Sequence, residues 1–203
     1  MKKRTLRKTQ PKRSQSRINP NDSKFRELVL LIARKSEGDP RFGALKLNKL
    51  LFYSDFSAYL AFGRPITGQE YFALENGPAP RYMVRMRERM QAEHDIAIRQ
   101  RETISGPQAR TFALREPDLS QFTAQEVDLV DNVIQIFSGQ AGTEMSELTH
   151  RFPGWKLAAE KETIPYTVAL VGERAPTDTE RKIGVTLESL AASCLAGGAS
   201  DLG

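Results

Sequence analysis

The chain has 203 residues, 30 of them Lys or Arg, 25 Asp or Glu, two His and one Cys, for a formal net charge of +5. The lone Cys194 excludes a disulfide scaffold and a thiolate metal cluster, which need several sulfurs, and the apolar runs fall far short of the roughly 20 residues that a membrane-spanning helix requires. An apolar share of 39% is enough for one ordinary core, so composition predicts a single domain with tails, located in the cytoplasm.

The charge is uneven. Lys2, Lys3, Arg4, Arg7, Lys8, Lys12, Arg13 and Arg17 stand in the first 20 residues without a single acid, leaving 22 basic against 25 acidic residues in the rest, a net −3. Residues 1–22 have few apolar side chains, and Pro11 and Pro20 break helices, so the segment is expected to be a disordered basic arm. No apolar stretch follows the charges as in a secretory leader. Such an arm is either a solvated leader or a contact for nucleic-acid phosphates, although no aromatic is interleaved to stack on bases.

After Asn21, Asp22 and Ser23, any of which can cap, Phe25, Leu28, Val29 and Ile32 follow the spacing of one buried helical face, and Gly38 and Pro40 end it. A second helix is predicted from Ala44 to Phe62, apolar around so much of its circumference that it must be central. A strand is expected between Ile66 and Leu74. The run from Glu75 to Pro80 predicts a rigid corner, with Gly77 free to take positive φ and Pro80 opening the next helix. That helix carries Met83, Met86 and Met90 beside Arg81, Arg85 and Arg89; the methionines suit either a core or an adaptable partner surface.

Alternation from Ile96 and again through Phe112 and Leu114, around Ser105-Gly106-Pro107, predicts a hairpin that joins the Ile66 segment in one small antiparallel sheet. Thr123 and Glu126 form a capping box for a helix whose Val127, Val130, Ile134 and Phe137 share a face up to Gly139. Shorter helices are expected from Thr143, near Trp155 and near Thr179, the last with Ile183, Leu187, Leu190 and Cys194 on one face. The fold class predicted is α+β, predominantly helical.

Catalytic constellations each lack a part. There is no glycine-rich phosphate loop, zinc-binding His pair or nucleophile elbow, and no cofactor or metal site is expected. Cys194 falls on an apolar stripe, and His150 at a helix end is expected to bond a terminal carbonyl. The acids Asp128 and Asp131 read as a solvated face.

Four stretches in order carry a family likeness: Leu45 to Tyr53, Gly63-Arg64-Pro65-Ile66, Phe72 to Pro80, and Met145 to His150 followed by Pro153, Trp155 and Ile164-Pro165-Tyr166. Together they resemble the Panacea domain of the SocA-like antitoxins, from about Phe25 to Val171. The motif residues are Lys46, Leu47, Lys49, Leu50, Tyr53, Gly63, Pro65, Ala73, Gly77, Pro78, His150, Trp155, Pro165 and Tyr166. Met145 stands where the family often has Leu, and Asn76 where many members carry an aromatic or His.

The resemblance implies a non-enzymatic antitoxin of a bacterial or phage toxin/antitoxin pair that binds a protein toxin encoded beside it; some members instead deliver the toxin to an ATP-dependent protease. It places the domain at 23–174, between the arm and a C-terminal segment at 175–203. The expected toxin contact is the corner and the helix after it: Asn76, Gly77, Pro78, Pro80, Arg81, Met83, Arg85, Met86 and Arg89. A DNA-binding regulator that uses the basic arm is the alternative, although no helix-turn-helix fits ahead of the domain.

Overall fold

In a computed structural model, described over residues 18–103 and 106–170, the fold grows outward from the helix that the sequence marks as central. This helix, α2 (Ala44–Phe62), runs between Gly43 and Gly63, the latter in the left-handed conformation (φ 72°) that glycine adopts without strain. Ahead of it, α1 (Asp22–Lys35) is capped by Asn21, whose side chain accepts from the Lys24 N–H at 2.9 Å. Phe25, Leu28, Val29, Leu31 and Ile32 of α1 are buried in the main core, where they meet Leu47, Leu50 and Leu51 of α2.

Three two-residue strands form a small antiparallel sheet in the order β2 (Ala79–Pro80), β1 (Tyr71–Phe72), β5 (Thr163–Ile164). The expected strand from Ile66 to Leu74 is therefore much shorter than predicted. A buried carboxylate explains why: Asp55 of α2 accepts from the Thr67 N–H at 2.7 Å and also takes the Thr67 hydroxyl, turning this stretch into a loop. Pro80 sits at the edge of this sheet, where its missing N–H costs no ladder bond, and the next helix, α3 (Met83–Ala92), starts three residues later instead of at Pro80.

The hairpin of β3 (Ile96–Thr103) and β4 (Gly106–Ala113) forms as predicted but is a separate two-stranded sheet, not an extension of the one containing β1. An ionic cluster fastens its base: Arg115 donates to Glu27 of α1 at 2.6 and 2.9 Å and to Asp95 at 2.7 Å. That pairing holds the Glu27 carboxyl below its usual range despite burial. The predicted capping box opens α4 (Ala124–Ile136), with Thr123 Oγ1 accepting from Glu126 N at 3.2 Å and Glu126 accepting from Thr123 N at 2.9 Å. Helices α5 (Gly142–His150) and α6 (Pro153–Leu157) follow, then β5 and a 3-10 turn at Tyr166–Leu170.

The chain is thus α+β and mostly helical. A second, aromatic cluster beside the main core joins Phe52 and Phe56 of α2 to Tyr71, Ile164 and Tyr166. Of the arm predicted at 1–22, residues 1–17 lie outside the described residues, as does the helix near Thr179 with Cys194, whereas Asn21 caps α1 and Asp22 opens it.

Candidate functional site: a corner held from beneath

Side chains from α2, α5 and α6 all reach the stretch of main chain from Leu74 to Pro78. From α2, Lys49 Nζ donates to the Pro78 carbonyl at 3.0 Å. From α5, Ser146 Oγ lies 2.9 Å from the Asn76 carbonyl and equally close to the Gly142 carbonyl of its own helix, its one proton shared between the two, and His150 Nε2 lies 3.0 Å from the Glu75 carbonyl. From α6, Trp155 Nε1 donates to the Leu74 carbonyl at 2.8 Å, and its indole stacks on the His150 ring with centroids 4.0 Å apart. Four of the five main-chain carbonyls from 74 to 78, all but that of Gly77, are engaged by four side chains. Gly77 has φ 84°, and a Cβ there would fall 2.3 Å from Thr149 Oγ1 and 2.6 Å from Lys49 Nζ, so the turn packs this tightly only with glycine.

The two lysines of α2 differ. Lys46, 1% exposed, donates to Asp39 at 2.6 Å and to the carbonyls of Phe137 and Gln140 at 2.6 and 2.7 Å, tying the C-terminal end of α4 to α2. Lys49, equally buried, has the Pro78 carbonyl and no carboxylate among the described residues. Burial without a counter-charge pulls its amine down to about 7. Beside it lies an open cleft of about 330 Å³ lined by Asn48, Lys49, Glu75, Asn76 and Glu160.

Asp55 is a buried carboxyl that the sequence reading missed. It accepts from Thr67 and from the Tyr71 hydroxyl at 2.8 Å, and burial raises both its affinity for a proton and that of Tyr71. The only sequence signal for it is a single acid inside the apolar run from Leu50 to Leu60.

The structure sorts the expected contact residues. Asn76, Arg85 and Arg89 are exposed, whereas Gly77, Pro78 and Pro80 are buried beneath the turn. Met83 and Met86 are 5% and 8% exposed members of the main core, which corrects their assignment to a partner face. Arg81 is half-buried and holds the small sheet: it pairs with Glu70 at 3.1 Å, donates to Thr163 at 2.7 Å and lies over Phe72. Arg89 is paired with Glu93 at 2.8 Å. His150 is corrected too, since it reaches the Glu75 carbonyl across the interface instead of a carbonyl of its own helix.

Of the other motif residues, Leu47, Leu50 and Ala73 are buried, and Tyr53 stacks on Phe137 at 4.5 Å, its phenol pushed up to about 12 by burial. Gly63 caps α2, Pro65 is half-buried, Pro165 is exposed, and Tyr166 donates to the Gln69 carbonyl at 2.7 Å. Asp131 is not merely solvated, as it pairs with Lys35 at 2.7 Å.

Lys49, His150 and Trp155, the polar motif side chains at the corner, are all engaged with main-chain carbonyls. Residues 47–156 match the family model for the antitoxin SocA-like Panacea domain, and the chain belongs to that family. No curated protein and no solved structure matches the chain. The matched span is narrower than the motif likeness: Lys46, Pro165 and Tyr166 lie outside it, yet β5 and Tyr166 pack on elements within it. No helix among the described residues is long and apolar enough to cross a membrane.

Proposed function

We propose that this chain neutralises a protein toxin by direct contact through the outer edge of the corner and the exposed side of α3. The carrying observation is the set of bonds from Lys49, Ser146, His150 and Trp155 to the 74–78 main chain, which leaves Asn76 outward on an ordered turn. A turn already fixed loses little entropy when a partner docks. Next to it along the chain, Tyr82 and Val84 are 46% and 70% exposed and Arg85 has no ion-pair partner among the described residues. Tyr and Arg are among the side chains that dominate protein–protein contacts.

The test is co-expression with the product of the neighbouring gene in a bacterial growth assay, followed by affinity purification. Rescue and a co-purifying partner are expected for the native chain, and loss of both for Val84→Glu/Arg85→Glu with its melting temperature unchanged. Neutralisation that survives in this variant refutes the proposed face. A shorter toxin half-life in the presence of the chain favours delivery to a protease, and a longer one favours sequestration.

A further inference from the structure

We infer that one face of the β3–β4 hairpin binds the phosphodiester backbone of a nucleic-acid strand through the exposed Arg99 and Arg101, with the buried Arg110 adding positive charge behind them. Residues two apart on a strand share a face and stand roughly 6.6 Å from each other, so Arg99 and Arg101 project to the same side. The register sets Arg99 directly opposite Arg110, with Gln108 opposite Arg101. Like charges facing each other across a ladder destabilise a hairpin, so the arrangement calls for an anion.

The chain does not supply that anion. Arg26, Arg34, Arg41, Arg81, Arg89 and Arg115 each pair with a carboxylate, whereas Arg99, Arg101 and Arg110, like Arg64, Arg85, Arg87 and Arg151, have none among the described residues. Instead, the guanidinium groups of Arg99 and Arg110 both lie against Phe112, 5.7 and 5.2 Å from its ring centroid. Arg110 is 7% exposed, donates to the Glu37 carbonyl, and keeps an Nε with no partner. Arg101 lines a hollow of about 1000 Å³ that also borders Arg41 and Gln108 and two carboxylates, Glu102 and Glu144, the latter paired with Arg41.

The face suits phosphate better than a protein partner. Protein contacts centre on apolar or aromatic anchors, and among residues 96–103 and 106–113 no large apolar side chain is exposed. The polar groups of Arg99, Arg101 and Arg110 only donate, and a phosphate backbone only accepts. The other concentration of uncompensated charge is the first 20 residues, with eight cations and no acid, while the rest of the chain is net acidic. Both cationic stretches are complementary to a polyanion.

The experiment is fluorescence anisotropy of the full chain with labelled 20-nucleotide single strands of DNA and RNA, a 20-base-pair DNA duplex and poly-glutamate, from 50 to 200 mM salt. Log affinity for nucleic acid should fall linearly with log salt concentration. In Arg99→Gln/Arg101→Gln the slope should drop by about 1.4 on single strands or about 1.8 on duplex, as two phosphate contacts require. An unchanged slope and affinity in the folded variant overturns the inference, since the arm alone then makes the contacts. Binding to poly-glutamate without binding to nucleic acid, or binding to neither, overturns it as well. None of these outcomes depends on toxin neutralisation.

Discussion

Lys46 and Lys49 stand one turn apart on α2, equally buried, and they hold two different parts of the molecule in two different ways. Lys46 is enclosed by a carboxylate and two carbonyls, and fastens the end of α4 to the core. Lys49 supports the corner with a single carbonyl and no counter-charge, and its amine titrates near neutrality as a result. The first is a permanent brace. The second is a support whose charge depends on what surrounds it.

Removing the brace should have the largest effect. Lys46→Met leaves Asp39 without its cation and the carbonyls of Phe137 and Gln140 without a donor, at an expected cost of about 3–5 kcal/mol in urea unfolding. A stability close to that of the native chain would show that the Lys46 pair is dispensable and erase the contrast.

Next is Gly77→Ala. The added methyl must displace Thr149 Oγ1 and Lys49 Nζ at a backbone angle that L-residues rarely take, at a cost of about 1–3 kcal/mol. It should also weaken toxin neutralisation more than that loss of stability explains, because it moves the turn that carries Asn76.

Smallest at neutral pH, and most specific, is Lys49→Met. Folding lowers this amine from 10.5 to about 7, so between those values the unfolded chain binds more protons than the folded one. Stability therefore rises with pH across that window, by up to about 1.4 kcal/mol per unit, and the full penalty stands below pH 7. The carboxyl of Asp55, held above its usual range, works the other way, since its contribution falls as pH rises from the ordinary carboxylate range to its raised value. Native and variant chains share Asp55, so the difference between their unfolding free energies at pH 7 and pH 9 isolates Lys49. The native chain should gain on the variant, and parallel behaviour would mean that Lys49 is as well compensated as Lys46.

The sequence makes the local features legible. Gly43 and Gly63 bracket α2, Thr123 and Glu126 open α4, and alternation around Gly106 and Pro107 marks the hairpin, because each depends on neighbours a few residues away. Partners that arrive from far along the chain stay hidden. The carbonyls that separate Lys46 from Lys49 lie 91 and 94 residues away in one case and 29 in the other. Nothing in their shared i, i+3 spacing distinguishes them. The shortened strand before the corner has the same origin: Thr67 has β propensity, but Asp55, 12 residues earlier, claims its N–H and hydroxyl. The methionines of α3 fit a core or a partner surface by composition alone, and it is their place in one buried cluster with Ile96 of β3 that marks that stripe as core.

The small sheet also has a kinetic side. Its central strand, β1, is flanked by β2 from the near side of the corner and by β5, and Tyr166 just beyond β5 bonds to a carbonyl 97 residues earlier. Closing so long a loop carries an entropic cost that local contacts avoid. The α1–α2 core and the hairpin are therefore expected to assemble first and the β5 seam last. On the ribosome, β1 can gain its β5 neighbour only after Ile164 has emerged.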